Sequence, residues 1–242
     1  MSIQPNYGYH FAVLSKYAYY DPDKGIPAYE ELGYTNVKFV DQNNSQCYMM
    51  EDNTKIVVVV RGTELSESGD ISTDLNILQT KSRTHGGVHA GFYNDTDEIW
   101  KEVTHYINEE ERRYKKVWMC GHSLGGAIAM IMSSRLPSRV AVCYTYGCPR
   151  VGNKRWVSSL RFSNHRFVNN NDIIPRIPPM WLCYRHYGEL HYINYYGNIR
   201  NLTVWQKIKD QIRGRFRALR KFELFDDIKD HNIKEYVRKL KD

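Results

Sequence analysis

Gly121-His122-Ser123-Leu124-Gly125 lies where an apolar run, Val117–Cys120, gives way to small and apolar residues at 125–130. A serine with glycines two positions away on each side, between a strand and a helix, is the pattern of a nucleophile elbow. The turn is so tight that the flanking positions must be nearly free of side chains, which glycine allows. The motif therefore predicts a Ser123 hydroxyl that projects above a sheet as a nucleophile. A chance glycine-flanked serine in an ordinary turn is the alternative.

Length and composition indicate one α/β domain. The 242 residues are enough for a full hydrophobic core, and the sequence contains no internal repeat, low-complexity tract or flexible linker. Short apolar runs alternate with helical patterns, as they do in sheets built from β-α-β units. We therefore expect a single domain over residues 1–242, with a central, mostly parallel sheet flanked by helices.

The apolar runs and helical spacings give the expected elements. The run Ile56–Val60 is continuously apolar, which is typical of a central strand covered on both faces. Strands are expected at Val37–Asp41, Gln46–Glu51, Lys55–Arg61, Val117–Cys120, Val140–Tyr146, His165–Asn169 and Leu190–Tyr195. Helices are expected from about Asn94 to Arg112, at Ser123–Arg135 and at Ile233–Leu240.

Cysteine usage and the start of the chain favour an intracellular protein. Five cysteines give an odd count without a C-x-x-C pair, which suits a reducing compartment and offers no zinc-site spacing. Met1–Asn6 lacks the basic start and apolar core of a secretory signal. No apolar stretch approaches the roughly 20 residues that cross a bilayer. We expect a cytosolic protein or one held peripherally at a membrane, unless a signal has been removed.

One segment accounts for the whole net charge of +7. Eight basic residues and one acidic residue, Asp210, lie between Arg200 and Lys221, and elsewhere the two signs balance. Large apolar residues recur there at spacings of three and four, which predicts an amphipathic helix. They are Leu202, Trp205, Ile208, Ile212, Phe216, Leu219 and Phe222.

Two interpretations of residues 200–221 remain open. The helix could lie on an anionic membrane surface with Trp205 and Phe216 in the interface, or it could pack on the body of the protein with its basic face in water. Nucleic-acid binding is disfavoured, because a helix that follows phosphates gains little from an apolar stripe. Peripheral contact with an anionic membrane is therefore one of two expectations for this segment.

A serine nucleophile needs a histidine to take its proton and a carboxylate to orient that histidine. Behind a nucleophile elbow these residues follow in the order serine, acid, histidine. Asp172 is the first acidic residue after Ser123, and the alternative for it is an Asx-turn residue ahead of Pro175. It is therefore the predicted acid.

Three histidines follow Asp172 in the chain. His191 lies inside a predicted strand, and His186 lies just before that strand, at the end away from the expected site. His231 comes after the last strand and directly before the final helix, in a loop that can reach the serine. We predict His231 as the general base, with an ordinary helix-start residue as the alternative.

An acyl-transfer site also needs two backbone N–H donors for the oxyanion. One is expected from Leu124, directly after the nucleophile. The other is expected from the loop Arg61-Gly62-Thr63 after the third strand, where Thr63 is the candidate donor. A plain strand-end turn is the alternative for that loop.

With these residues identified, the chain resembles the class 3 lipases, the fungal triacylglycerol lipase type of α/β-hydrolase. The resemblance implies a serine carboxylester hydrolase, with Ser123, Asp172 and His231 as triad and with Thr63 and Leu124 as oxyanion donors. It implies no metal ion and no organic cofactor, a lipid or other acyl ester as substrate, and structural roles for His89 and Tyr93. The motifs that carry it are Val60–Thr63, Val88–Tyr93, Gly121–Gly125, Tyr146–Gly152, Asn171–Pro175 and Asp230-His231.

The resemblance also places a lid at residues 64–75. This stretch is short and acidic, and its candidate lipid contacts are Leu65, Ile71 and Leu75. A lid adapted to oil should bury a broad apolar face, so this one argues against interfacial activation and a triglyceride preference. Small or single-chain esters remain candidates. A lipase-like binding or signalling protein without turnover is the alternative function, although the chain retains every expected triad residue.

Overall fold

The computed structural model describes residues 5–43, 45–63, 78–200 and 230–241. Its helices are α1 Pro5–Tyr17, α2 Pro22–Glu31, α3 Ala90–Asn108, α4 Leu124–Arg135, α5 Lys154–Ser159 and α6 Ile233–Leu240. Its strands are β1 Thr35–Gln42, β2 Ser45–Glu51, β3 Lys55–Val60, β4 Gln79–Lys81, β5 Gly87–His89, β6 Lys116–His122, β7 Val140–Tyr146, β8 Gly152–Asn153, β9 Ser163–Asn169, β10 Tyr184–Arg185, β11 Glu189–Ile193 and β12 Ile199–Arg200.

The main sheet has the strand order β1-β2-β3-β6-β7-β9-β11-β12. From β3 to β11 all neighbours pair in parallel, while β1, β2 and β12 are antiparallel to their neighbours. A smaller antiparallel sheet, β10-β8-β5-β4, lies beside it. The α/β-hydrolase architecture expected from the sequence is thereby confirmed.

Each face of the main sheet has its own hydrophobic core. Ile56, Val58 and Val60 of β3 face the core that contains α3 and α4, whereas Val57 and Val59 face the core that contains α1 and α6. The alternation follows from the two-residue period of a strand. All five side chains are fully buried, which confirms the central position predicted from the continuous apolar run.

The largest difference from the expected boundaries concerns α3. The helix expected from Asn94 to Arg112 begins at Ala90, because the His89 side chain accepts the Phe92 N–H and caps its first turn. It ends at Asn108, since Glu109 takes an extended conformation.

The last predicted strand, Leu190–Tyr195, is also shifted. It covers Glu189–Ile193, because the Asn194 side chain accepts two backbone N–H groups and turns the chain towards β12. No helix or strand was predicted for the first 34 residues, where α1 and α2 form and pack on the sheet.

Several predictions fall outside the described residues. These are the lid residues Leu65, Ile71 and Leu75 and the amphipathic helix over 202–222. The prediction of a single domain over 1–242 stays a prediction. In the part of the chain that the structure describes, no helix combines the length and the apolar character needed to cross a membrane.

Candidate active site

Ser123 occupies a sharp turn between β6 and α4. Its backbone has φ 55° and ψ −128°, a conformation that is strained for a residue with a side chain. A Cβ atom on Gly121 would overlap the Gly125 carbonyl group, and one on Gly125 would overlap the Val60 carbonyl oxygen. Both glycines are therefore required by the close approach of three chain segments, as the elbow motif predicted.

The structure brings Ser123, His231 and Asp172 into one hydrogen-bonded series. His231 Nε2 lies 2.9 Å from Ser123 Oγ, and His231 Nδ1 lies 3.0 Å from each carboxylate oxygen of Asp172. All three side chains are buried. Because Nδ1–H donates to the carboxylate, Nε2 carries the free lone pair and accepts the hydrogen bond of the Ser123 hydroxyl.

The Asp172 carboxylate is held by two further donors. The Ile174 N–H donates to Oδ1 at 2.9 Å, and the Tyr236 hydroxyl donates to Oδ2 at 2.6 Å. Burial and the adjacent carboxylate raise the pKa of Tyr236 well above its ordinary value, so this hydroxyl remains a donor. From the sequence, Tyr236 was predicted only to lie on the apolar face of α6, because helical periodicity does not indicate which group a hydroxyl contacts.

A second network fixes the residue before His231. The Asp230 carboxylate accepts the Asn171 N–H at 3.0 Å, the Asn169 side-chain N–H at 3.1 Å and the Lys239 ammonium at 3.3 Å. Lys239 also donates to Asn169 Oδ1 at 2.7 Å. Asp230 is buried, so the network ties the His231 loop to the end of β9, which leads to Asp172. The sequence signal for it was an acidic residue directly before the predicted base.

His122 supports the backbone of His231. Its Nε2 lies 2.6 Å from the His231 carbonyl oxygen, and its Nδ1 lies 2.7 Å from the Tyr19 hydroxyl. Burial lowers the pKa of His122 well below its ordinary value, and His231 adds to the effect by its charge. A neutral His122 that donates Nε2–H to the carbonyl leaves Nδ1 as acceptor, so Tyr19 donates its hydroxyl proton.

Gly147 lies directly against the histidine–aspartate pair. Its φ is +57°, and a Cβ atom there would lie 2.7 Å from Asp172 Oδ2 and 2.9 Å from His231 Nδ1. Any side chain would therefore displace one of the two groups. Gly147 belongs to the sequence motif Tyr146–Gly152, but no role was predicted for it, since only the fold brings it next to two residues far away in the chain.

The predicted oxyanion residues flank the nucleophile. Leu124 begins α4, where the first backbone N–H groups have no intrahelical acceptor. A Cβ atom on Gly62 would lie 3.3 Å from Ser123 Cβ and 2.5 Å from the His122 carbonyl oxygen, so the loop 61–63 packs on the elbow. Thr63 follows Gly62 and is exposed. Its role as a donor stays a prediction.

The two other histidines after Asp172 lie away from Ser123. His186 Nε2 lies 2.7 Å from the Pro175 carbonyl oxygen, so its ring holds the loop that follows Asp172. His191 pairs with His165 on β9 at 3.2 Å. Neither histidine was predicted as the base, and each makes a different contact in the structure.

The residues expected to be structural, His89 and Tyr93, also lie in packed surroundings. The His89 ring stacks on Phe92 with ring centres 3.9 Å apart. The Tyr93 ring receives the Arg135 guanidinium at 4.8 Å from its centre. Burial lowers the pKa of His89 to about 4.

Comparison with known proteins finds lipases. Residues 57–181 match the family Lipase (class 3). "Toxin TseL" of Vibrio cholerae serotype O1 is 31% identical over 197 residues, which are 70% of this chain and 30% of the toxin. "Secreted mono- and diacylglycerol lipase 1" of Fusarium solani is 35% identical over 154 residues, which are 57% of this chain and 44% of that protein. The chain thus spans less than half the length of these relatives.

A solved lipase structure has a similar fold. The lipase from Rhizopus microsporus var. chinensis superposes with a TM-score of 0.66 at 25% identity, over 80% of this chain and 75% of that one. The family match covers more than half of the 242 residues and includes the elbow and Asp172. The chain belongs to the class 3 lipase family.

Proposed function

We propose that this protein is a serine carboxylester hydrolase that cleaves acyl esters of glycerolipids or similar lipids through an acyl-enzyme. One observation carries the proposal: His231 Nε2 accepts from a strained, glycine-flanked serine while its Nδ1 donates to a fully hydrogen-bonded carboxylate. Membership in the class 3 lipase family supports it, as do relatives named as mono- and diacylglycerol lipases.

The residues have defined roles in this reaction. Ser123 Oγ attacks the ester carbonyl carbon while His231 Nε2 takes its proton, and Asp172 stabilises the imidazolium that forms. The Leu124 and Thr63 N–H groups donate to the oxyanion. The intermediate then expels the alcohol, which receives the proton from His231. Water attacks the acyl-enzyme by the same route, releases the carboxylic acid and restores Ser123.

An exposed apolar rim on two adjoining segments supports a lipid substrate. Trp181, Met180 and Leu78 are 79%, 55% and 66% exposed. The Gln79 side chain donates to the Leu182 carbonyl oxygen at 3.2 Å, so the three apolar residues lie on adjoining segments. Trp181 lies in the segment that follows Asp172 in the sequence. We propose that this rim contacts the lipid, together with the lid residues Leu65, Ile71 and Leu75 and the basic residues 200–221.

We also propose an intracellular location, on the chemistry of the thiols. All five cysteines are unpaired and four of them are buried. Burial raises the pKa of Cys47 and Cys143 to about 12, so these thiols stay protonated and unreactive. The relative from Fusarium solani is named as secreted. Fractionation of native cells tests the proposal, and recovery of the protein from the medium would contradict it.

The activity is tested with a fluorophosphonate probe and a series of p-nitrophenyl esters of increasing chain length. We expect the wild-type protein to be labelled, Ser123→Ala to be unlabelled and inactive, and the exposed Ser158→Ala to behave as wild type. Mono-, di- and triacylglycerol and phospholipid then define the lipid class. A folded wild-type protein that resists the probe would instead favour a binding protein without turnover.

A further inference from the structure

A second cluster of titratable side chains lies at the amino ends of β9 and β11. In the parallel register His165 is opposite Glu189, and Phe167 is opposite His191, so all four residues share one face of the sheet. His165 is four residues before Asn169, which is about 13 Å along the strand at the usual rise. Asn169 belongs to the network beside the triad, so this cluster is separate from the candidate active site.

Three potential ligand atoms converge in this cluster. His165 Nδ1 and His191 Nε2 are 3.2 Å apart, and Glu189 Oε2 lies 3.5 Å from the first and 3.9 Å from the second. Ligand atoms around a tetrahedral Zn²⁺ at its usual bond lengths lie about 3.3 Å from one another. The observed spacings therefore suit one ion with little movement of the side chains, and the carboxylate is free to close the longest of them because Glu189 is exposed.

The two imidazoles are prepared as neutral ligands. Their side chains are only 14% and 12% exposed. Burial lowers the pKa of both His165 and His191, although the nearby Glu189 acts in the opposite direction. Neutral rings have lone pairs to offer, and two ring nitrogens that face each other can share only one proton.

The rings are also fixed in orientation. His191 stacks on Phe167 with ring centres 4.8 Å apart, and His165 packs on Tyr144 with ring centres 5.2 Å apart. Side chains locked by packing lose little freedom when they bind a metal ion, which favours affinity.

We propose that His165, His191 and Glu189 form a binding site for a divalent transition-metal ion, for which Zn²⁺ is the best fit. Two imidazoles and one carboxylate are ligands that Zn²⁺ accepts, whereas Ca²⁺ and Mg²⁺ require shells of oxygen. Water completes the fourth position. Among the described strands, the short β12 lies beyond β11, and the ion joins β11 to β9, the next strand of the parallel sheet.

A Zn²⁺ ion that binds the folded state but not the unfolded state raises the stability of the protein by mass action. With Zn²⁺ at about 100 times its dissociation constant, Tm should rise by about 5 °C or more for a protein of this size. The gain requires the folded register of β9 and β11, because His165 and His191 are far apart in sequence. The same distance explains why no metal-site spacing is visible in the chain.

The experiment uses the full chain after treatment with EDTA. Calorimetric titration with ZnCl₂ should give one strong site per chain, and thermal unfolding with and without ZnCl₂ should give the Tm shift. Glu189→Gln keeps the size of an exposed side chain and does not threaten folding. It should weaken Zn²⁺ binding at least tenfold, and His191→Gln should remove the strong site.

Matched controls are Glu110→Gln and His105→Gln, which are exposed residues of the same types. Both should bind Zn²⁺ as the wild type does. X-ray absorption of the Zn²⁺ complex should show two nitrogen ligands from imidazole. The proposal is overturned if the wild type lacks a strong site, or if Glu189→Gln and His191→Gln bind Zn²⁺ as tightly as their controls. Either result would leave the hydrolase proposal intact, since that rests on Ser123.

Discussion

A histidine lies near a carboxylate at each end of strand β9. The two histidine–carboxylate pairs differ in the groups that surround them. At the carboxyl end, the Asp172 carboxylate is 1% exposed and accepts from Ile174 and Tyr236 as well as from His231. At the amino end, the Glu189 side chain is 64% exposed and has two imidazoles close to it.

This contrast explains why similar residues suit different chemistry. A buried carboxylate with every oxygen occupied fixes the histidine tautomer, so the remaining nitrogen can act only on the serine. An exposed carboxylate beside two imidazoles leaves several lone pairs directed at one point, which favours a cation. The identity of the neighbours, rather than the presence of histidine and acid, separates a proton-transfer site from a ligand site.

The contrast is tested most directly by Asp172→Asn. The amide keeps the shape of the side chain but removes the charge that stabilises the imidazolium, so kcat/KM should fall by about a thousandfold or more. The Zn²⁺ affinity of the other cluster should not change. The control is Asp41→Asn, an exposed carboxylate that should keep full activity. Retention of more than a tenth of the activity would contradict the assigned role of Asp172.

Gly147→Ala tests how closely the fold surrounds the triad. The new methyl group would lie within 3 Å of both Asp172 and His231, and the displacement should lower kcat about a hundredfold. Gly33→Ala is the matched control, because Gly33 also has a positive φ of +87° but has no atom within 4 Å of its added Cβ. It should cost about 1 kcal/mol of unfolding free energy and leave the activity unchanged. Equal activity in the two variants would refute the argument.

Asp230→Ala tests the network that holds the catalytic loop. Removing one member of a buried ion pair should lower the unfolding free energy by about 3 kcal/mol, because the Lys239 ammonium keeps only part of its hydrogen bonding. Urea unfolding measures the change. The comparison is Glu235→Ala, which breaks the Glu235–Arg238 pair on the same helix and should cost less than about 1 kcal/mol, since the Arg238 side chain is exposed. Similar losses of unfolding free energy in both variants would mean that the burial of Asp230 adds nothing to the stability that its ion pair provides.

The buried His89 shows what burial does to a histidine pKa without the influence of a carboxylate. Its pKa is lowered to about 4 by burial, whereas the unfolded chain has the ordinary value of about 6.5. Below pH 6.5 the unfolded state therefore binds more protons, and stability falls as the pH falls, by up to about 1.4 kcal/mol per unit until pH 4. His89→Gln should flatten the urea-unfolding profile between pH 6.5 and 5 by about 2 kcal/mol at most. The control His105→Gln, at an exposed position, should leave the pH dependence of the unfolding free energy unchanged. The same result for His89→Gln would contradict the role of burial in lowering the pKa of His89.

Local sequence predicted much of the fold, because strands and nucleophile elbows have recognisable patterns within a few residues. The run Ile56–Val60 indicated a strand covered on both faces, and the two glycines around Ser123 indicated a turn too tight for side chains. The order of residues limited the acid to Asp172, since the preceding stretch contains no carboxylate. The first two helices were missed, because proline and glycine interrupt their patterns.

Chain order and local pattern thus determined the fold class and the candidate nucleophile, acid and base. The tertiary structure alone decided which groups support them. Tyr236 and Gly147 reach Asp172, and His122 reaches the His231 backbone, only when segments distant in the chain pack together. It likewise decided that His165 and His191 face each other, through the parallel register of two strands. Pairing register and burial depend on the whole core, and no short stretch of sequence carries that information.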